Sequence, residues 1–113
     1  MADYKFITYE TLDEGTIARI MLNRPDARNA QNRGLLVELD EAFMAAEADD
    51  TVRVVILGGM GSMFTSGHDL GSKDAAAEYG THPTWKSNGA NREGAERLML
   101  QEWHYYFNNT RRW

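Results

Sequence analysis

An α/β domain made of a β-hairpin followed by one βαβ unit is the fold class this sequence predicts, and three features predict it. Residues 5–22 hold two strand-like runs around a short turn. Residues 32–48 carry apolar side chains at helical spacing, and after Arg53 residues 54–57 form a run of four apolar residues without alternation. Strand, helix and strand in that order make a βαβ unit, which is expected to cross over right-handed.

The hairpin comes first. Residues 5–11 and 16–22 are rich in β-branched and aromatic residues, and Leu12-Asp13-Glu14-Gly15 lies between them, with Asp13 and Gly15 supplying turn chemistry. In the second run Ala18, Ile20 and Leu22 share one face, and Ile17, Arg19 and Met21 the other. The helix follows at residues 32–48. Leu35, Leu39, Phe43 and Ala46 recur at spacings of three and four, acidic residues occupy other directions, and Asn32 fits the N-cap position. Val54-Val55-Ile56-Leu57 then suits a strand covered on both faces, as in a parallel sheet. Residues 58–61 are expected to break regular structure. Residues 71–90, rich in Gly, Ser, Thr and Asn, form a connection long enough to be a lid or binding loop, and a second helix is expected from about Asn91.

Composition limits the function classes. At 113 residues the chain suffices for one small domain, which buries only roughly 60–70% of its unfolded surface. With 42% hydrophobic and 26% charged residues it reads as an ordinary soluble globular chain. A net charge of −5 argues against a nucleic-acid surface, and the absence of cysteine removes disulfides and thiolate metal sites. The opening residues lack the apolar core of a secretory signal, and no apolar run approaches the ~18 residues of a membrane span. A cytoplasmic location, with no membrane and no nucleic-acid partner, is the expectation. No metal-ligand spacing links His68, His82 and His104, so no metal site is expected.

The chemistry is expected where the two strands of the βαβ unit end. If those strands are parallel, residues 22–30 (LNRPDARNA) and residues 58–70 (GGMGSMFTSGHDL) both leave the sheet at its carboxyl end, where open α/β sheets bind ligands. Arg24, Arg28 and Arg33 lie within ten residues of an otherwise acidic chain. Guanidinium groups match phosphate oxygens bidentately, so this cluster suits a phosphorylated ligand; equally, it suits a solvated loop partly neutralised by Asp26. The glycine-rich segment is not a dinucleotide motif, since G-x-G-x-x-G from Gly59 would need glycine where Phe64 stands. No phosphate-binding G-x-x-x-x-G-K-[ST] can be written either. What remains is Ser66-Gly67-His68-Asp69-Leu70. Gly67 can take a backbone conformation closed to other residues, turning the His68 amide into the crevice, while Asp69 can cap the turn that follows. A backbone amide so placed suits a developing negative charge.

Taken together, LNRPDARNA, the amphipathic helix, VRVVILGG and FTSGHDL resemble the N-terminal part of the crotonase superfamily, the enoyl-CoA hydratase/isomerase kind, over most of residues 5–70. The resemblance implies a crotonase-like fold, of which residues 1–113 would be the N-terminal part of a single domain. It implies an acyl-CoA substrate with no cofactor beyond that coenzyme A, and a homotrimer or hexamer when complete. Reaction would pass through a thioester enolate whose oxyanion is held by two backbone amides. By position the first donor is the amide of His68, directly after Gly67. Arg24, Ala27 and Arg28 of the first loop and Ser66, Asp69 and Leu70 of the second correspond to the coenzyme A-binding region, with Arg28 the phosphate contact. The second donor and the acid–base carboxylates belong to a later part of the family's chain, and Glu93, Glu96 and Glu102 match none of them. His68 stands where many relatives have a small residue, so its imidazole either shapes the acyl pocket or takes part in proton transfer. Hydration is the default reaction. A non-catalytic coenzyme A-binding or scaffold subunit is the alternative, and a self-sufficient small nucleotide-binding domain a more distant one.

Overall fold

The computed structural model describes residues 3–69 and 71–73. Two antiparallel strands open it, β1 (Ile7–Leu12) and β2 (Ile17–Leu22), and helix α1 (Arg33–Ala48) then leads to β3 (Val54–Gly59). The sheet order is β1-β2-β3, with β2 central, antiparallel to β1 and parallel to β3. The hairpin and βαβ unit expected from the sequence are both present.

The hairpin register follows from its turn. Asp13 and Glu14 both take left-handed φ, at 51° and 58°, and Gly15 follows at 87°. The Gly15 amide reaches back to the Leu12 carbonyl at 3.1 Å, which closes the turn and pairs Leu12 with Ile17. β1 begins at Ile7 rather than Lys5 because the amides of Lys5 and Phe6 donate to the Glu38 carboxylate of α1, the latter at 2.7 Å. The alternation read in β2 holds: Ala18, Ile20 and Leu22 are fully buried, and the intervening residues are not.

Helix α1 lies on that buried face. Leu35, Leu39, Ala42 and Ala46 form its inward stripe and Leu36 flanks it, while Phe43 is partly buried and packs against the same core. The expected stripe of Leu35, Leu39, Phe43 and Ala46 is thus present, and Ala42 joins it. Each fully buried leucine contributes roughly 1.5–3 kcal/mol, so the Ile20, Leu22, Leu35, Leu36 and Leu39 cluster carries most of the core energy. Asn32 holds the N-cap place with extended backbone, although its side chain makes no capping hydrogen bond.

Two expectations for β3 are corrected. Only Val55 and Leu57 turn toward the core, while Val54 and Ile56 are 54% and 43% exposed, because among the described residues α1 covers one face of the sheet and these two side chains point to the other. The strand also continues through Gly58 and Gly59, paired with Met21 and Leu22, instead of breaking there. Close approach explains Gly59, where a Cβ would stand 2.5 Å from the Phe64 carbonyl oxygen; one on Gly58 would meet only the movable end of the Met21 side chain, its sulfur at 2.8 Å. Most of the 71–90 connection and the helix expected from Asn91 lie outside the described residues, as do Leu70, His82 and His104.

Candidate functional site

Because β2 and β3 are parallel and in register at Leu22↔Gly59, the segments that follow them leave the same edge of the sheet together. The first runs through a single 3-10 turn at Pro25–Ala27, with proline at a position that needs no N–H. Arg28 and Asn29 then both adopt left-handed φ of 54°. That reversal returns the chain toward the second segment. Left-handed backbone is unusual outside glycine, and asparagine tolerates it best.

The two segments are zipped by backbone. The Ser66 amide donates to the Arg28 carbonyl at 3.0 Å, the Gln31 amide to Gly67 at 2.7 Å, and the Asp69 amide to Gln31 at 3.0 Å. The last two make a parallel bridge between Gln31 and His68. Side chains reinforce it. Fully buried Asn29 accepts from the Arg24 amide at 2.8 Å and donates to the Met60 and Met63 carbonyls at 2.9 and 2.8 Å. The Thr65 hydroxyl donates to the Asn29 carbonyl at 2.7 Å and accepts from the Gly67 amide at 3.1 Å.

This bridge fixes the direction of the His68 N–H. The Gly67 carbonyl and the His68 N–H belong to one peptide unit, and among the described residues no peptide bond is cis. In a trans peptide those two groups point opposite ways. Since the carbonyl points at Gln31, the His68 N–H points away from Gln31. Gly67 has φ of 93°, the glycine conformation expected of it, and an added Cβ there would meet nothing within 4 Å. Conformation, not space, is what requires glycine at that position.

The sequence-predicted residues thus converge, but in different situations. Gly67, His68, Ser66 and Asp69 lie on the second segment and Arg24, Ala27 and Arg28 on the first, with Ser66 bonded directly to Arg28. Arg28 and His68 are exposed and Ala27 is partly so. Arg24, by contrast, is 7% exposed. Its guanidinium lies against the Phe6 ring at 5.6 Å, donates to the Ala30 carbonyl, and pairs with the Asp69 carboxylate at 2.9 Å. Asp69 also accepts from the Gly71 and Ser72 amides, at 3.3 and 2.9 Å, and from the Ser72 hydroxyl, so the capping expected of it is present. Burial alone would raise the Asp69 carboxyl. The Ser72 hydroxyl and amide, Arg24 and the Gly71 amide outweigh it and hold the carboxyl below its ordinary value.

Asn29, Gln31 and Thr65 are the residues that hold the segments together, and sequence reading did not single them out for this. The one available signal was Asn29 itself, a residue suited to left-handed backbone beside arginine in a loop. Among the described residues no group of three His, Cys, Asp or Glu is placed to hold a metal ion, and no helix is long and apolar enough to cross a membrane.

Residues 13–92 match the family model described as enoyl-CoA hydratase/isomerase. A protein of Mycobacterium tuberculosis that carries an enoyl-CoA hydratase name, EchA13, is 56% identical over 98% of this chain, which corresponds to 36% of its own length. The mitochondrial Delta(3,5)-Delta(2,4)-dienoyl-CoA isomerase of Mus musculus is 45% identical over 55% of the chain and 18% of its own length. A solved Mycobacterium smegmatis structure, also described as an enoyl-CoA hydratase, superposes over 96% of this chain and 35% of that one, with a TM-score of 0.72 and 36% identity. The chain therefore spans about a third of the length of the relatives that it matches most fully.

Proposed function

The chain belongs to the enoyl-CoA hydratase/isomerase family, and on that premise we propose that the complete protein binds an acyl-CoA thioester and stabilises its enolate oxyanion with the backbone amide of His68. The observation that carries this reading is the Gly67–His68 peptide. Its carbonyl is held by Gln31, so its N–H faces away from the loop pairing at the carboxyl end of two parallel strands. A fixed donor costs no reorganisation when negative charge develops on the thioester oxygen. Arg28, exposed one hydrogen bond from Ser66, is the guanidinium available to the phosphates of coenzyme A. Buried Arg24 does not serve that contact in this reading.

The first half of the reaction is common to the family's chemistries. The thioester carbonyl lies over the His68 N–H, electron density moves onto its oxygen as a bond forms or breaks at the neighbouring carbon, and the amide holds that charge. Relatives carry both hydratase and isomerase names, and acid–base groups supplied from elsewhere in the complete protein would decide between these outcomes. Assembly as a homotrimer or hexamer belongs to the same proposal.

Substitution at His68 separates backbone from side chain. His68→Ala keeps the N–H and should leave kcat for hydration of crotonyl-CoA within about tenfold of wild type. His68→Pro removes the donor and should lower kcat roughly a hundred- to a thousandfold, in protein shown by circular dichroism to be folded. A hundredfold loss in the alanine variant with coenzyme A affinity intact would make the imidazole the working group and overturn the assignment.

A further inference from the structure

The orientation of the Gly67–His68 peptide is not enforced by its own residues. Gly67, at φ 93°, has no Cβ, so its ψ, one of the two torsions about which that peptide turns, is only loosely restrained by the residue itself. What fixes it lies on either side. The Gln31 amide holds the Gly67 carbonyl at 2.7 Å, and beyond His68 the Asp69 amide holds the Gln31 carbonyl at 3.0 Å. Asp69 is in turn gripped by Arg24 at 2.9 Å, and the same guanidinium nitrogen donates to the Ala30 carbonyl. One side chain therefore spans both chains of the bridge, from the residue before Gln31 to the residue after His68.

Burial sharpens the point. The Arg24 and Asp69 side chains are only 5% and 4% exposed, so neither is presented to a ligand in solution. A buried ion pair is weak evidence for net stabilisation, because desolvation offsets much of the attraction. It does define geometry, since a planar guanidinium engages its acceptors in fixed directions.

We infer that Arg24 and Asp69 are positioning residues, whose ion pair keeps the Gly67–His68 peptide turned so that the His68 N–H faces the ligand crevice. This rests on the proposed oxyanion role of that amide. It divides the work of two arginines four residues apart: Arg28 meets the ligand, and Arg24 sets the backbone that meets it. Neither positioning side chain touches substrate.

Three variants of the complete protein test it. Arg24→Lys keeps a cation but loses the fork. Asp69→Asn keeps size but loses charge. The double variant Arg24→Met/Asp69→Asn removes both charges, so that neither remains buried alone if a single variant fails to fold. Amide hydrogen exchange at Asp69 is compared with that at Ile20 in β2, alongside kcat and KM for crotonyl-CoA and the Kd for coenzyme A. In each folded variant the backbone amide at position 69 should exchange at least about tenfold faster, corrected for the residue present, with Ile20 unchanged. Turnover should fall about tenfold or more while the coenzyme A Kd stays within about twofold, since only transition-state binding is lost. Unchanged protection at position 69 in the folded double variant, or faster exchange with unchanged kcat, overturns the inference. A wild-type protein with neither turnover nor coenzyme A affinity overturns the functional reading instead. In that case Asp69 exchange still decides whether the ion pair holds the peptide.

Discussion

Truncating Asn29 should show how strongly the two loops depend on one buried amide. Its side chain accepts from the Arg24 amide at 2.8 Å and donates to the Met60 and Met63 carbonyls at 2.9 and 2.8 Å. In Asn29→Ala the Arg24 amide, in a residue only 7% exposed, loses this acceptor at a cost of about 1–3 kcal/mol. Met60 and Met63 are each 43% exposed, so water can approach their carbonyls and the penalty there falls to about 0.5–1 kcal/mol apiece. Alanine is also less at ease than asparagine at φ of 54°, which adds roughly 1 kcal/mol. The expected loss is about 3–6 kcal/mol, large for a residue outside the hydrophobic core. Urea unfolding of the complete protein, with the m-value compared between variants, measures it. Asn29→Gly should recover about 1 kcal/mol of that loss, because glycine takes left-handed φ freely. A loss below about 1 kcal/mol for Asn29→Ala, at unchanged m, would refute the reasoning and show that backbone pairing alone holds the loops.

Gly59→Ala should be costlier than its small size suggests, about 2–4 kcal/mol in the same unfolding assay, because its Cβ would stand 2.5 Å from the backbone oxygen of Phe64. Arg28→Ala should weaken coenzyme A binding by about 1.5–3 kcal/mol and leave a pantetheine thioester nearly unaffected, as isothermal titration of both ligands would register. The pH dependence of stability follows from Asp69. Its folded carboxyl is held below the ordinary value, so on acidification the unfolded chain takes up the proton first. The contribution is present in full above the ordinary carboxylate pKa of about 4 and is lost as pH falls through the lower folded value. Asp69→Asn should therefore flatten the acid limb of a stability–pH curve without adding any slope between about pH 5 and pH 8.

Much of this architecture was legible because it rests on local rules. Alternation placed Ala18, Ile20 and Leu22 inward, and the spacing of Leu35, Leu39 and Ala46 placed α1 on them. Asp13 and Gly15 marked the turn, and Gly67 marked a left-handed position in the second loop. These readings needed only a residue's own conformational preference and the period of its neighbours. Where the sequence misled, a longer-range contact was responsible. Gly58 and Gly59 looked like a strand break but are paired residues, and Gly59 makes room for Phe64.

The candidate site divides along the same line. By itself the sequence determined which loops meet, since a βαβ order sends both connections to one end of a parallel sheet whatever their contents. It also determined the left-handed glycine before His68, because only a residue without Cβ adopts that backbone at low cost. Only the tertiary structure decided how the two arginines of the first loop differ. Arg24 and Arg28 are four residues apart and chemically identical. Contact with Asp69, 45 residues along the chain, buries one while the other stays exposed. Desolvation and pairing depend on which distant groups surround a charge, and no local pattern of residues encodes that.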